Sequence, residues 1–378
     1  MKLIHLSDLH IGKRVNEFSM LEDQAYILNQ IINIIKKEQP QVVLICGDIY
    51  DKSVPSAEAV ALADNFLVRL SKEKRKVFVI SGNHDSPERI AFGSRLMNAS
   101  GVYMSPVFNK DIAPTTLTDQ HGEINIYMLP FIKPVHVRGA FPEEEIISYT
   151  DAVQLAVNYL NIDKSKRNIL LAHQFVAGSE RSDSEDISVG GSDNVAPAVF
   201  DGIDYVALGH IHKPQSVARE TIRYCGTPLK YSFSEAGHKK SVTIVELEEK
   251  GSVVIRTVPL IPKRDMVEIK GTYMEITTKS YYEHLSLEDY YHITLTDEED
   301  IPDAINRLRI IYKNIMKLDY DNKRTQNGGI INGTSEVETK SPITLVSEFY
   351  ELQNNQPISE EQKNFVSVLI EKIWEGGK

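Results

Sequence analysis

Five short segments of this 378-residue chain place oxygen or imidazole side chains directly after runs that read as β strands. Asp8-Leu9-His10 follows Lys2–Ser7. Gly47-Asp48-Ile49-Tyr50-Asp51 follows Gln41–Cys46, and Gly82-Asn83-His84-Asp85 follows Lys76–Ile80. His173 closes Asn168–Ala172, and Gly209-His210-Ile211-His212 follows Tyr205–Leu208. Ligand sites in open α/β sheets form beyond the carboxyl ends of the strands. The five segments are therefore expected to converge on one sheet edge. Each alone is weak, since D-x-H and H-x-H are common as surface or capping chemistry and G-N-H-D reads equally well as a turn. Five together, all at strand ends and all with O or N donors, point to a metal site.

The donor set narrows the metal. Carboxylate, carboxamide and imidazole without thiolate exclude structural Cys-type zinc. Several histidines favour a transition ion over Mg²⁺, which prefers oxygen shells. Two Mn²⁺ are the first choice, with Fe or Zn as alternatives. There are donors enough for two ions, and Asp48 is the natural bridge. Two ions roughly 3.5–4 Å apart activate a water and clamp the oxygens of an in-line phosphoryl displacement. Neither a Ser nor a Cys nucleophile is then needed.

Between these segments, strand-like and helix-like stretches alternate. Met20–Lys37 and Ser56–Leu70 carry apolar residues at helical spacing, and Pro87–Asn98 opens with Pro at a favoured first-turn position. Asn125–Leu129 is a further strand. Continuous apolar strands between amphipathic helices indicate an α/β sheet covered on both faces. After His212 the texture becomes β-rich, with strands expected over Ser216–Cys225, Ser241–Glu248 and Ser252–Leu260. Late hairpins of this kind would complete an α/β sandwich. The pattern places a domain over 1–264. A small α+β unit follows over 265–320, with strands near Val267–Lys270 and Tyr290–Thr296 and a helix from about Ile301 to Met316. Residues 321–340 are polar and aperiodic, the composition of a flexible linker.

The tail regains pattern over 341–378. Ser341-Pro342 supplies an N-cap and a first-turn Pro, with Ile343, Val346, Phe349, Tyr350 and Leu352 behind it. Asn355-Gln356-Pro357 breaks that helix. Ser359-Glu360-Glu361-Gln362 is a capping box, followed by Phe365, Val366, Leu369, Ile373 and Trp374. Two short amphipathic helices beyond a linker do not easily bury both apolar stripes between themselves. This favours a partner-binding module over simple back-packing.

Two cysteines, Cys46 and Cys225, both in apolar runs, fit buried reduced thiols and a reducing compartment. No apolar run approaches the ~20 residues of a membrane span, and the start meets charge before an apolar stretch develops. A soluble cytoplasmic protein is expected. The chain has no G-x-x-x-x-G-K-[ST], so any ATP site must come from a partner.

The segments together resemble the signature of the calcineurin-like metallophosphoesterases, and more closely the nuclease subunits of bacterial complexes of the SbcCD type. The supporting stretches are Asp8 to Lys13, Gly47 to Asp51, Ser81 to Ser86, Val189 to Ser192 and the long run Asp204 to Gln215. The resemblance continues through Tyr224–Pro228 to about residue 320. It implies a four-layer β-sandwich flanked by helices, a capping domain that helps hold DNA, and a C-terminal helix pair. It further implies a homodimer that assembles with an SbcC-type, SMC-like ABC ATPase received by 341–378. By motif, one metal would be held by Asp8, His10, Asp48 and His212. The other would be held by Asp48, Asn83, His173 and His210. His84 would stabilise or protonate at the scissile phosphate, with Asp85 orienting it. Asp51 stands where archaeal relatives carry histidine, and is placed behind the ligands. Lys13, Arg14, Lys52, Arg89 and Lys213 flank the loops as candidate DNA-phosphate contacts. The implied activity is Mn²⁺-dependent 3′→5′ exonuclease and endonuclease action on double-stranded DNA ends and hairpins. A phosphodiesterase for small molecules is the alternative.

The net charge of −11 at first argues against DNA. Resolved by region, residues 265–378 hold 12 Lys and Arg against 21 Asp and Glu, whereas residues 1–264 hold 30 against 32. The acidity belongs mostly outside the catalytic stretch, and bound divalent ions would reverse the sign there.

Overall fold

The computed structural model describes residues 1–110, 112–185, 193–323, 325, 341–354 and 356–375. The chain forms two compact units, Met1–Asp265 and Met266–Lys378.

The first unit holds two six-stranded sheets. In one, Lys2–Leu6, Val42–Cys46, Lys76–Ile80 and Val102–Met104 run parallel. The hairpin of Ser241–Leu247 and Val253–Pro259 adds antiparallel beside Lys2–Leu6. In the other, Gly122–Met128, Arg167–His173, Tyr205–Gly209 and Arg219–Tyr224 run parallel. Thr115–Asp119 and Gln215–Val217 flank them antiparallel.

The central strands are apolar on both faces because both faces are covered. Leu3, Val42, Leu44, Phe78 and Ile80 of one sheet pack against Ile126, Ile169, Leu171 and Ala207 of the other. On the outer face of the second sheet, Leu170, Ala172, Val206 and Leu208 meet Val137 of helix Pro134–Ala140 and Val153 and Ala156 of helix Tyr149–Tyr159. On the first sheet, Ile4, Val43, Ile45, Val77 and Val79 lie under helices Leu21–Glu38 and Ala57–Lys72. These helices bury Ile27, Ile31 and Ile35, and Ala63, Phe66 and Leu70, at helical spacing. Each large apolar side chain buried in this way contributes about 1.5–3 kcal/mol. The result is the expected order helix, sheet, sheet, helix.

Local chemistry sets the ends. The Ser56 hydroxyl accepts from Ala59 N–H at 3.3 Å, and Ser148 and Asp151 cap each other reciprocally. Gln39, at φ 53°, closes Leu21–Glu38 just before Pro40. His5 bolts the sheets together. Its Nε2 donates to the Leu208 carbonyl at 3.2 Å, and its Nδ1 accepts from the Tyr205 hydroxyl at 2.9 Å.

Several expectations are corrected. The five ligand-bearing ends do not share one sheet: three leave the first sheet and two the second. Pro87–Asn98 is not one helix but Pro87–Ala91 and Ser94–Met97, interrupted where Gly93 takes φ 73°. Ser216–Cys225 is a hairpin reversed at Ala218, φ 59°.

In the second unit, Met266–Gly271, Tyr290–Leu295 and Asn314–Tyr320 form a parallel sheet with Tyr290–Leu295 in the middle. Ile269, Tyr291, Ile293, Leu308, Tyr312 and Ile315 make its core. The helix expected over Ile301–Met316 is only Ala304–Leu308. The third strand wins because it satisfies the backbone groups on the second edge of Tyr290–Leu295. The tail forms helices Pro342–Asn354 and Glu360–Glu375. Ser341 Oγ accepts from Thr344 N–H, and the Ser359–Gln362 box closes at 3.0 and 3.2 Å. Phe349 and Phe365 are 64% and 67% exposed. Of the linker expected over 321–340, residues 324 and 326–340 lie outside the described residues, as do the Val189-Gly190-Gly191-Ser192 motif and the side chains of Leu352, Ile373 and Trp374.

Candidate active site

The carboxyl ends of the two sheets meet because glycine lets them pinch. A Cβ on Gly209 would lie 1.8 Å from the Cys46 carbonyl oxygen, and one on Gly82 would lie 2.1 Å from Asp48 Oδ1. Just beyond the strands, the backbone turns sharply. Asp8, His10, Asp48 and His210 take φ of 52°, 44°, 50° and 101°. Non-glycine residues held in this region cost about 1–3 kcal/mol each and cluster where function demands them. The turn swings each side chain inward. A ladder from Asp8 N to Gly47 O, His10 N to Asp48 O and Ile11 N to Ile49 O ties the first two loops together.

Seven side chains converge there. His10 and His212 Nε2 lie 3.2 Å apart. Asn83 Oδ1 lies 2.9 Å from His173 Nε2 and 3.0 Å from His210 Nδ1. Asp48 Oδ2 stands between the two groups, 3.4 Å from His173 Nε2 and 3.7 Å from His10 Nε2. Three ligand clusters result: Asp8 with His10 and His212, Asp8 with Asp48 and His173, and His10 with Asp48 and His84.

These residues fit divalent cations. Asp8 is fully buried, and its Oδ1 accepts from His210 N–H at 2.9 Å while Oδ2 has no hydrogen-bond partner. An orphaned carboxylate oxygen at this depth calls for a positive charge. Burial raises the Asp8 carboxyl, and neighbouring Asp48 adds to this against the pull of His173 and His212. Burial also pushes Asp48 up, but His173, His10 and His84 outweigh it and hold Asp48 well below the carboxylate range. Burial keeps His10 and His210 neutral by lowering both, as ligation requires. His173 is opposed by burial yet raised to about 9 by Asp48 and Asp8. Its Nδ1 donates to the Cys46 carbonyl at 2.8 Å, so Nε2 faces the cluster. Both cysteines are buried and free.

The neighbours differ from the sequence expectation. Asp85 does not orient His84. Its carboxylate instead accepts backbone N–H groups of Ile49 (3.1 Å), Tyr50 (3.0 Å) and Gly82 (2.9 Å), clamping two loops. Burial first, then Asp48, raises it to about 6. The His84 ring is held by the Asp51 carbonyl, which accepts from Nδ1 at 2.9 Å. The Asp51 carboxylate takes Lys13 at 2.8 Å and lies 3.9 Å from His10 Nδ1.

The five flanking cations differ in their surroundings. Lys13 is paired to Asp51, Lys213 to Glu180, and Arg14 donates to the Glu17 carbonyl. Arg14 and Lys52 line a cavity of about 530 Å³ with Gly12, Asp51 and Ser56. Arg89 lines a separate apolar cavity of about 390 Å³ beneath Leu9, Ile11 and Ile49.

Residues that no motif announced also stand against the site. Ser184 Oγ lies 2.6 Å from His212 Nδ1 and donates to Glu235. Glu185 accepts from His212 N–H at 2.6 Å, and Lys240 pairs with Glu235. Burial raises Glu235, but His212 and Lys240 bring it to about 2. Their roles come from tertiary closeness, which spacing along the chain does not encode.

Residues 1–214 match the calcineurin-like phosphoesterase family. The chain belongs to that family. Residues 262–354 match a second family, described as the type 5 capsule protein repressor C-terminal domain. Over 99% of its length, this phosphoesterase is 32% identical to the D component of the nuclease SbcCD from Staphylococcus epidermidis, covering 99% of that protein. A dimetal phosphatase from Danio rerio aligns at 12% identity over 69% of this chain and 96% of its own, with a TM-score of 0.41. A Thermus thermophilus protein aligns at 13% over 68% and 98%, with a TM-score of 0.39. By its family match, the phosphoesterase is a hydrolase of a family that uses divalent metals. Among its described residues, no helix is long and apolar enough to cross a membrane.

Proposed function

We propose that this phosphoesterase is an Mn²⁺-dependent nuclease acting on double-stranded DNA ends and hairpins, as a 3′→5′ exonuclease and endonuclease, within an SbcCD-type complex. The observation that carries the reading is the convergence of seven candidate ligand side chains from five strand ends, with Asp48 Oδ2 between the His10 and His173 groups. The full-length similarity to an SbcCD nuclease component supports the choice of DNA. Asp8, His10, Asp48 and His212 would hold one ion, and Asp48, Asn83, His173 and His210 the other. When bound, such ions supply an activated water and charge for the phosphate oxygens.

The chain's own residues do the rest. With Nδ1–H fixed on the Asp51 carbonyl, His84 acts through Nε2, stabilising developing charge or protonating the leaving oxygen. Asp85 keeps the His84 loop in register with the Asp48 loop. Arg14 and Lys52 contact the phosphate backbone in their shared cavity. The 266–320 unit acts as the DNA-holding cap. Phe92 and Leu96, 85% and 82% exposed, suit a homodimer contact. The exposed Phe349, Phe365 and Leu369 suit docking of the tail to an SbcC-type ATPase.

The test is Asp48→Ala assayed with Mn²⁺ on a labelled hairpin, beside bis-p-nitrophenyl phosphate. Loss of both activities is expected. Full activity of the variant would remove the bridging role. Wild-type hydrolysis of the small ester with none of any DNA would replace the nuclease by a small-molecule phosphodiesterase.

A further inference from the structure

The imidazoles of the cluster do not hold their tautomers in the same way. His173 is fixed by a main-chain carbonyl, that of Cys46. His212 instead rests on a chain of side chains drawn from distant parts of the sequence. Its Nδ1 lies 2.6 Å from Ser184 Oγ and 3.5 Å from Glu235 Oε1, so the hydroxyl is the nearer partner and the carboxylate lies beyond a good hydrogen bond. Ser184 donates to Glu235 Oε1. Glu235 Oε2 receives Lys240 Nζ, which also donates to Thr227 Oγ1 at 2.6 Å and to the His212 carbonyl at 2.9 Å. Glu235 is fully buried and Lys240 is 5% exposed. The main chain of His212 is gripped as well, its N–H by Glu185 at 2.6 Å and its carbonyl by Thr227 N–H at 3.2 Å.

We propose that Lys240, Glu235 and Ser184 form a one-way hydrogen-bond relay that fixes the His212 imidazole with its proton on Nδ1 and its lone pair on Nε2, toward the ligand cluster. The proposal rests on the reading that His212 is a metal ligand, and it makes the three residues positioning residues for that ligand. The direction follows from donor count. An ammonium has only donors and an ionised carboxylate only acceptors. Lys240 therefore donates to Glu235, and Glu235 can only accept from Ser184. A hydroxyl has one proton, so Ser184, having given it to Glu235, can only accept from His212 Nδ1. The proton is thereby excluded from Nε2, the nitrogen that lies 3.2 Å from His10 Nε2. Reversing the Ser184 hydroxyl would set its lone pairs against the carboxylate.

The relay accounts for a buried Lys–Glu pair that stability alone does not justify, because desolvation of both ions offsets their attraction. It also explains why Ser184 must lie against the site. Partners of this kind behind a ligating histidine change metal affinity by about 10–100-fold.

The test uses the full-length chain and Mn²⁺ as the probe, with calorimetry for affinity and ¹⁵N histidine spectra for the tautomer. Ser184→Ala removes the link without altering charge. Glu235→Gln can turn its amide toward Ser184 and reverse the relay. Both are expected to weaken one class of Mn²⁺ sites by about 10–100-fold and leave the other unchanged. Both are also expected to move the His212 signals away from the Nδ1–H pattern. Ser184→Thr, which restores the hydroxyl, should recover both readouts. With bis-p-nitrophenyl phosphate, kcat should fall while KM holds. Unchanged Mn²⁺ affinity and an unchanged His212 tautomer in folded Ser184→Ala would overturn the relay. Equal weakening of both site classes together with a lower Tm would do the same, by reducing the residues to core support. If wild-type chain binds no Mn²⁺, the metal-site reading fails instead, and the tautomer of His212 still decides the relay.

Discussion

Both units of this chain contain parallel strands, yet among the described residues only the first gathers groups able to hold a cation at the strand ends. In Met1–Asp265 the loops after five strands aim carboxylates, an amide and imidazoles at one another, several of them from turns at positive φ. In the second unit the residues after the strands serve local structure. Thr272 caps helix Tyr273–Ile276, Asp297 accepts Tyr273 N–H at 2.7 Å, and Asn322 donates to the Asp297 carbonyl at 3.0 Å. Among the described residues, every cluster able to hold a cation lies in the first unit. The carboxyl end of a parallel sheet is thus only an opportunity. A site arises where strained turns and close-packed glycines bring polar atoms together and leave one of them, Asp8 Oδ2, without a partner.

The sharpest way to break this contrast is to show that a strand-end residue of the first unit is as inert as Thr272 or Asn322. His84→Gln is expected to lower kcat for a phosphodiester by about 10²–10⁴-fold, the range for removing a general acid or base. Mn²⁺ affinity should stay unchanged. A variant that turns over normally would reduce His84 to a turn residue. A variant that loses metal would instead place it among the ligands, as its closeness to His10 and Asp48 also permits.

The contrast also explains how much could be read from sequence. The converging side chains were legible because each follows an apolar strand, and a strand end is a position that sequence marks. That they belong to two sheets was not legible, since the Gly209-to-Cys46 contact that joins the sheets spans 163 positions. Asp51 was legible as a neighbour of the ligands, but its carbonyl's hold on His84 is a main-chain contact with no residue signature. Glu235 and Lys240 were invisible because a buried ion pair looks like surface charge in sequence. In the second unit the stretch from about Ile301 to Met316 read as one helix, and strand pairing overrode it from Asn314 onward.

A smaller effect separates the units by pH. Burial, with Arg223 adding and the Leu208 carbonyl opposing, lowers His5 from its ordinary 6.5 to about 3. Its folded pKa is depressed, so the stabilisation is present above about pH 6.5 and is lost as pH falls toward 3, where only the unfolded chain takes up the proton. Each pH unit in that window costs about 1.4 kcal/mol. From pH 7 to 5, wild type should lose about 2 kcal/mol more than His5→Leu in urea unfolding, although the variant starts lower because Tyr205 and Leu208 lose a partner. Amides of Met1–Asp265 should carry the extra loss in hydrogen exchange. Equal pH slopes in the two proteins would show that His5 takes up its proton as readily in the folded chain as in the unfolded one.

The smallest effect is an expected absence. The tail helices leave Phe349, Phe365, Val368 and Leu369 at 42–67% exposure, a cost in solubility that a self-contained unit has no reason to bear. None of the proposed ligand residues lies beyond His212. Deleting everything after Lys340 should therefore leave Mn²⁺ binding and bis-p-nitrophenyl phosphate turnover unchanged, while abolishing recovery of an ATPase partner in a pull-down. Unchanged recovery would dismiss the tail as the docking element. Lost turnover would show that the second unit contributes to the chemistry after all, and that the two units are not divided by function as their strand ends indicate.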